Sequence, residues 1–316
     1  MHHKAKIGVL AIVSAMLIAM FLFLNAGGNW DYILPRRIYK VLAIMLTGAS
    51  IAFATVVFQT ITNNRILTPS VLGLDSLYML IQTVIIFTFG SANLTIANKQ
   101  INFLLSVGLM ILFMGVFYKI LFKREGQTIY FLLLVGLIFG TLFNSLSSFM
   151  QVLIDPNEFL IVQDKMFASF NNIHTDLLII TFVALVLISI YASRYLKYLD
   201  VLSLGKEQAV NLGVDYDFIV KRLLVLVAVL VSISTALVGP ITFLGLLVAN
   251  LAHEFLRTYR HTYLIAGSML ISVIALVGGQ LIVERVFTFS TTLSVIINFI
   301  GGSYFFYLLL KENRAW

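Results

Sequence analysis

IYKVLAIMLTGASIAFATVVFQTI, residues 38–61, carries a single charged side chain, Lys40, at its start. An apolar helix of about 20 residues is what a hydrocarbon layer of about 30 Å requires. Comparable runs recur along the chain at 7–24, 71–90, 101–121, 129–153, 175–193, 219–238, 241–256, 262–282 and 291–310. Turn residues or charges separate several of them: Asn25–Asn29, Thr62–Ser70, Lys123–Gln127, Asp155–Glu158 and Lys311–Arg314. The boundary at Gly239-Pro240 reads as a tight hairpin, because one helix from 219 to 256 would be about twice the bilayer thickness. The expected fold class is therefore all-α: a polytopic membrane protein of about ten transmembrane helices.

Composition agrees. The 316 residues are 60% hydrophobic and 11% charged, and the mean hydropathy is +1.00. Soluble domains carry about 25% charged residues, so lipid is the solvent for most of this surface. The apolar runs leave no room for a soluble domain, and the chain reads as a single transmembrane domain over 1–316 with one long polar loop at 194–222. The absence of cysteine removes disulfides, thiolate metal sites and cysteine nucleophiles together. The first run follows Lys4 and Lys6 but lacks a small-x-small cleavage site before residues 25–28, so it reads as a retained span.

The net charge of +7 is explained by the bias of Lys and Arg toward cytoplasmic loops, not by nucleic acid. With ten spans and a cytoplasmic N-terminus, fifteen of the 21 basic residues fall inside and six outside. Both termini are then expected in the cytoplasm. The outside six are Arg36, Arg37, Lys40, Lys99, Lys165 and Arg285. Residue chemistry leaves two readings of this cluster: snorkelling to headgroups, or a docking site for an acidic external partner.

The loop from Arg194 to Arg222 has Gly205 and Gly213 as expected helix boundaries. Between them Lys206–Leu212 is polar on one side and carries Ala209 and Leu212 on the other. It is either an interfacial linker or a short helix that docks into a soluble subunit.

The chain lacks the usual energy-coupling motifs. No G-x-x-x-x-G-K-[ST] phosphate loop occurs, so no nucleotide or other cofactor is expected on this chain. His253-Glu254 begins like a zinc-protease motif, but Arg257 stands where the second His is needed, and no metal site is expected. Ion-coupled carriers use carboxylates buried in the membrane. Asp75, read as lying near the cytoplasmic edge of the third span, is the one candidate. A secondary transporter of a small organic solute is therefore the alternative reading. Gly136-x-x-x-Gly140 offers a small-residue face for close helix packing.

Four segments carry a family resemblance. Arg37–Leu74 is similar to R-x-P-R-x-x-x-A-x-x-x-G-A-x-x-A-x-x-x-x-x-x-Q followed by N-P-L-A-x-P-x-x-L-G, with Gly48, Gln59, Asn64, Pro69 and Gly73 at matching places. Leu202–Val214, LSLGKEQAVNLGV, resembles L-x-L-G-x-x-x-A-x-x-L-G-V. GPITFLGLLVAN, from Gly239 through Gly245 to Asn250, resembles G-x-I-x-F-x-G-L-x-x-P-H, and Gly301–Lys311 is similar to the C-terminal block. Together, in order and over most of the chain, these resemble the FecCD family of iron–siderophore, haem and vitamin B12 permeases. Several family prolines are replaced: Tyr39, Arg65-Ile66, Ala249 and Ser303 stand in their places.

The resemblance implies the permease subunit of an ATP-binding-cassette importer in a bacterial cell membrane, with the type II permease fold. It implies a second permease subunit, as homo- or heterodimer, two ATPase subunits that use the ATP, and a substrate-binding lipoprotein. Membrane lipid is the remaining partner. The family's outer basic motif falls on Arg37 and Lys40, and the one after the ninth span on Arg285, which favours docking over snorkelling for these three. ATPase coupling falls on Leu202, Leu204, Gly205, Lys206, Glu207, Ala209, Leu212 and Gly213. The replaced prolines suggest the subgroup that forms one half of a heterodimer importing catecholate-type siderophores in Gram-positive bacteria.

Overall fold

A computed structural model describes residues 3–24, 30–90, 98–121, 129–171 and 175–312. The expected turn at 25–29, and Lys123, Arg124 and Arg314 among the expected cytoplasmic charges, lie outside the described residues. No strand occurs among the described residues. Thirteen α-helices do: α1 (His3–Phe23), α2 (Trp30–Thr62), α3 (Leu74–Phe89), α4 (Lys99–Leu121), α5 (Ile129–Leu153), α6 (Pro156–Lys165), α7 (Thr175–Ser193), α8 (Leu196–Leu202), α9 (Lys206–Asn211), α10 (Tyr216–Val238), α11 (Leu244–Leu256), α12 (His261–Arg285) and α13 (Leu293–Glu312).

Eight of these are long and apolar enough to cross a membrane, and α3 and α11 are shorter apolar helices of the same kind. At 1.5 Å per residue, α3 covers about 24 Å and α11 about 20 Å, short of a hydrocarbon core of about 30 Å. Non-helical approaches make up the difference. Residues 63–73, with a 3-10 turn at Pro69–Leu72, lead into α3. Residues 239–243 lead into α11. Gly239 ends α10 at φ 99° with its side-chain position against Ala168 Cα, which no L side chain tolerates at that spacing. The helix break expected at Gly239-Pro240 is thus present.

The helices are not equivalent. In α2 and α10 most of the apolar stretch is buried, whereas α1 and α13 expose theirs. Helix α2 packs on α12, α10 and α11 and forms the axis of the bundle. Its buried face carries Thr47, Ser50, Thr55, Gln59, Thr60 and Thr62, small or polar groups that permit close helix approach where lipid gives no hydrophobic drive for association. At Gly48 a Cβ would stand 2.8 Å from Ser272 Oγ of α12, and at Gly245 of α11 it would overlap Thr55. These two glycines set the spacing around α2.

Gly136 and Gly140 of α5 meet the 3-10 turn of the same chain. Gly136 lies against the Val71 carbonyl and Leu72, and Gly140 against Gly73. Gly73 itself has φ 78°.

Helix α2 starts eight residues before the expected run, because Pro35, Arg36 and Arg37 are helical although none is apolar enough to prolong it. Helix α6 was read as a charged flank. Asp155 caps it, accepting from the Asn157 N–H at 2.9 Å, with Pro156 at its first position.

Candidate functional site

Two polar regions stand at opposite ends of the bundle. At one end the chain turns from α1 to α2 and α12 terminates. Arg37 Nη1 donates to the carbonyls of Phe21, Leu22 and Leu24 at 3.0, 2.9 and 2.9 Å. Arg285 Nη2 donates to the same Leu24 carbonyl at 2.7 Å. A helix C-terminus presents unpaired carbonyls and partial negative charge, and two guanidiniums from α2 and α12 cover that of α1. Lys40 pairs with Glu284 at 2.9 Å, and Gln280 donates to Glu284 and Asn171.

The three residues expected to dock a partner therefore come together, each bonded within the chain. Arg37 and Lys40 border a cavity of about 410 Å³ lined also by Tyr32, Arg36, Lys99 and Glu284 among others. Its exposed cations are Arg36, seated 4.1 Å over the Tyr32 ring, and Lys99. Lys99 also lines an adjoining cavity of about 300 Å³ with Tyr78, Asp164 and Lys165. Burial lowers the Lys165 ammonium's hold on its proton; Asp164 opposes that and Lys99 adds to it. The sequence had placed Arg36 and Lys99 on this side. Neither is a position of the family motif, which falls on Arg37, Lys40 and Arg285.

At the opposite end, α8 and α9 project between α7 and α10. Leu199 and Leu202 of α8 and Ala209 of α9 are buried, whereas Leu204, Val210 and Leu212 are exposed. The expected face is corrected here: Ala209 points inward and the outward apolar residue beside Leu212 is Val210. Gly205 and Gly213 bound α9 as expected. Lys206 bonds Asp217 at 2.9 Å with both side chains largely in solvent, and Glu207 is exposed.

Behind α9 lies a polar network. Asp200 Oδ1 of α8 is 2.6 Å from His261 Nδ1, and His261 Nε2 is 2.8 Å from Thr60 Oγ1 of α2. The motif residues Gln59 and Asn64 organise the chain leaving α2. Gln59 Nε2 and Asn250 Nδ2 both donate to the Arg65 carbonyl, at 2.6 and 2.9 Å. Asn64 Oδ1 accepts from the Ile66 N–H. Pro69 then opens the 3-10 turn. In this chain Asn250 stands where the family pattern has His, and its amide serves the same loop.

Asp75 sits deeper than its expected place at the membrane edge. With Thr55, Ser70, Thr235 and Thr242 it lines a cavity of about 20 Å³, and Thr235 donates to its Oδ1 at 3.4 Å. Thr55 is seven residues, about 10 Å, from the end of α2. The cavity is large enough for one water. Among the described residues no cluster of His, Asp or Glu is arranged to hold a metal.

Ten apolar helices around a buried axis, with a two-helix projection at one end and a basic cavity at the other, define a multi-span permease of the importer type. The chain belongs to the FecCD transport family, whose profile matches residues 4–311. It is 69% identical to the petrobactin import system permease protein YclO of Bacillus subtilis (strain 168), over 100% of both chains. It is 38% identical to the petrobactin import system permease protein FatC of Bacillus anthracis, over 89% of this chain and 79% of that one. Among solved structures, an inward-facing metal-chelate type ABC transporter superposes with a TM-score of 0.83 at 22% identity, covering 98% of this chain and 99% of that one.

Proposed function

We propose that this chain is the transmembrane permease subunit of an ATP-binding-cassette importer for iron–siderophore complexes, with iron-loaded petrobactin as its cargo. The observation that carries the substrate is the 69% identity, end to end, to a permease named for petrobactin import.

The partner is a second, different permease chain. Bacillus anthracis has petrobactin permeases FatC and FatD, and this chain is 38% identical to the first and 27% to the second. That asymmetry makes it the FatC-like half of a pair. ATP hydrolysis belongs to separate subunits, which meet α9 through Leu204, Val210 and Leu212. These exposed apolar side chains, on a projection bounded by Gly205 and Gly213, are what a partner's cleft would bury. By the ten-span reading of the sequence, fifteen of the 21 basic residues belong to the segments on the side that carries α9, which supports placing that side in the cytoplasm. A binding lipoprotein then meets the opposite end. Its acidic groups face Arg36 and Lys99, over a floor fixed by Arg37, Lys40 and Arg285.

The deciding experiment is radio-iron uptake from petrobactin in cells lacking this gene, complemented with the intact gene. Loss on deletion and return on complementation are expected. Undiminished uptake in a strain without a redundant importer would refute the substrate. Collapse of uptake on adding an ionophore, and on Asp75→Asn, would favour the ion-coupled alternative.

A further inference from the structure

A hydrogen-bonded contact at His261 joins the projection to the axis of the bundle. Thr60 Oγ1 lies 2.8 Å from the Val56 carbonyl. His261 Nε2 lies 2.8 Å from the same Thr60 oxygen. Nδ1 faces the Asp200 carboxylate at 2.6 Å, which as an ionised group only accepts. The ring thus bridges Asp200 of α8 and Thr60 of α2 through its two nitrogens. The same Asp200 Oδ1 accepts the His261 backbone N–H at 2.9 Å, capping α12 from another helix. The His261 side chain is 6% exposed, so water does not compete for its ring nitrogens.

The path from this contact to α9 contains no slack. Successive turn bonds, Ser203 to Leu199, Leu204 to Val201 and Gly205 to Leu202, run out of α8, and Ala209 bonds back to Gly205. Leu199 and Leu202 are buried. A displacement of α9 thus moves α8 with it. On the other side of the contact stand α2 and α12, the most extensively packed helix pair in the chain.

We propose that Asp200, His261 and Thr60 form the link that passes movement of α9 to α2 and α12, acting as positioning residues for transport. This rests on the reading of α9 as the element that meets the ATPase. Charge-assisted hydrogen bonds of this kind are stronger and more directional than the apolar contacts around them, and one that joins three elements can carry a coupling free energy between distant sites.

The test uses the complete importer, both permease chains with ATPases and binding protein, in proteoliposomes, with chelate uptake and ATP hydrolysis measured together. Thr60→Val and Asp200→Asn are expected to lower chelate imported per ATP by roughly fivefold or more while hydrolysis stays within about twofold. Thr60→Ser, which keeps the hydroxyl, restores the ratio. Normal coupling in the unaltered importer with an unchanged ratio in Thr60→Val and Asp200→Asn overturns the link alone. An unaltered importer that hydrolyses ATP but takes up no chelate overturns the permease reading beneath it. Failure of the Thr60→Ser complex to assemble also overturns the link, because the contact would then hold the fold together instead of transmitting motion.

Discussion

Lys40 Nζ lies 2.9 Å from Glu284 Oε1, with the two side chains 18% and 10% exposed, and joins α2 to α12 at the end opposite α9. The pair has a consequence for any attempt to probe docking by charge reversal. Lys40→Glu places a second carboxylate beside Glu284 in a largely water-excluded site. Breaking a pair this withdrawn costs about 1–3 kcal/mol, between the values for exposed and buried pairs. The thermal midpoint of the purified complex should fall for Lys40→Glu and recover in the Lys40→Glu/Glu284→Lys double variant. Full activity of the single variant at an unchanged midpoint would show that the pair contributes nothing.

Docking is better tested at the exposed cations. Arg36→Glu with Lys99→Glu is expected to weaken binding of the lipoprotein roughly tenfold, mostly through slower association, with the difference shrinking in high salt. Surface plasmon resonance on nanodisc-embedded permease reads this directly. Equal affinities across salt concentrations would move the docking site elsewhere.

The apolar tip of the projection makes a separate prediction. Leu212→Asp puts a charge where an ATPase cleft would close on a leucine that is 63% exposed in the isolated chain. Co-purification of the ATPase subunits should drop about tenfold or more, while the permease alone keeps its thermal midpoint, because Leu212 supports no internal packing. A parallel fall in the midpoint would reassign Leu212 to the fold.

Gly73 tests the interior. Its φ of 78° and a Cβ position 3.0 Å from Gly140 Cα combine backbone strain with steric overlap. Gly73→Ala should destabilise the permease by about 2–3 kcal/mol, read as a lower midpoint in detergent. Gly108→Ala, where a Cβ meets nothing within 4 Å, is the matched control and should be neutral.

The spans were legible because apolar runs and their length carry the whole signal. Helices α5 and α7 begin and end at the residues the hydropathy gave. Helix α2 outran its apolar stretch because Arg37 and Lys40 sit on a helix end where their bonding partners, the carbonyls ending α1 and Glu284, lie on other helices. The Asp200–His261–Thr60 contact was invisible for the same reason, since its members come from three segments and none belongs to a motif. Asp75 was misplaced in depth because hydropathy counts residues along the chain as though each lay on a straight helix. The approach to α3 through Pro69–Leu72 re-enters the bundle without one.

The Leu24 carbonyl shared by Arg37 and Arg285 also orders the birth of the molecule. Arg37 follows it by 13 residues, but Arg285 stands 261 residues downstream. A ribosome making this chain inserts α1 early, half-fastened, and its fastening is completed only when α12 has been made. Chains released before residue 285 therefore keep a first helix that lacks its second clasp.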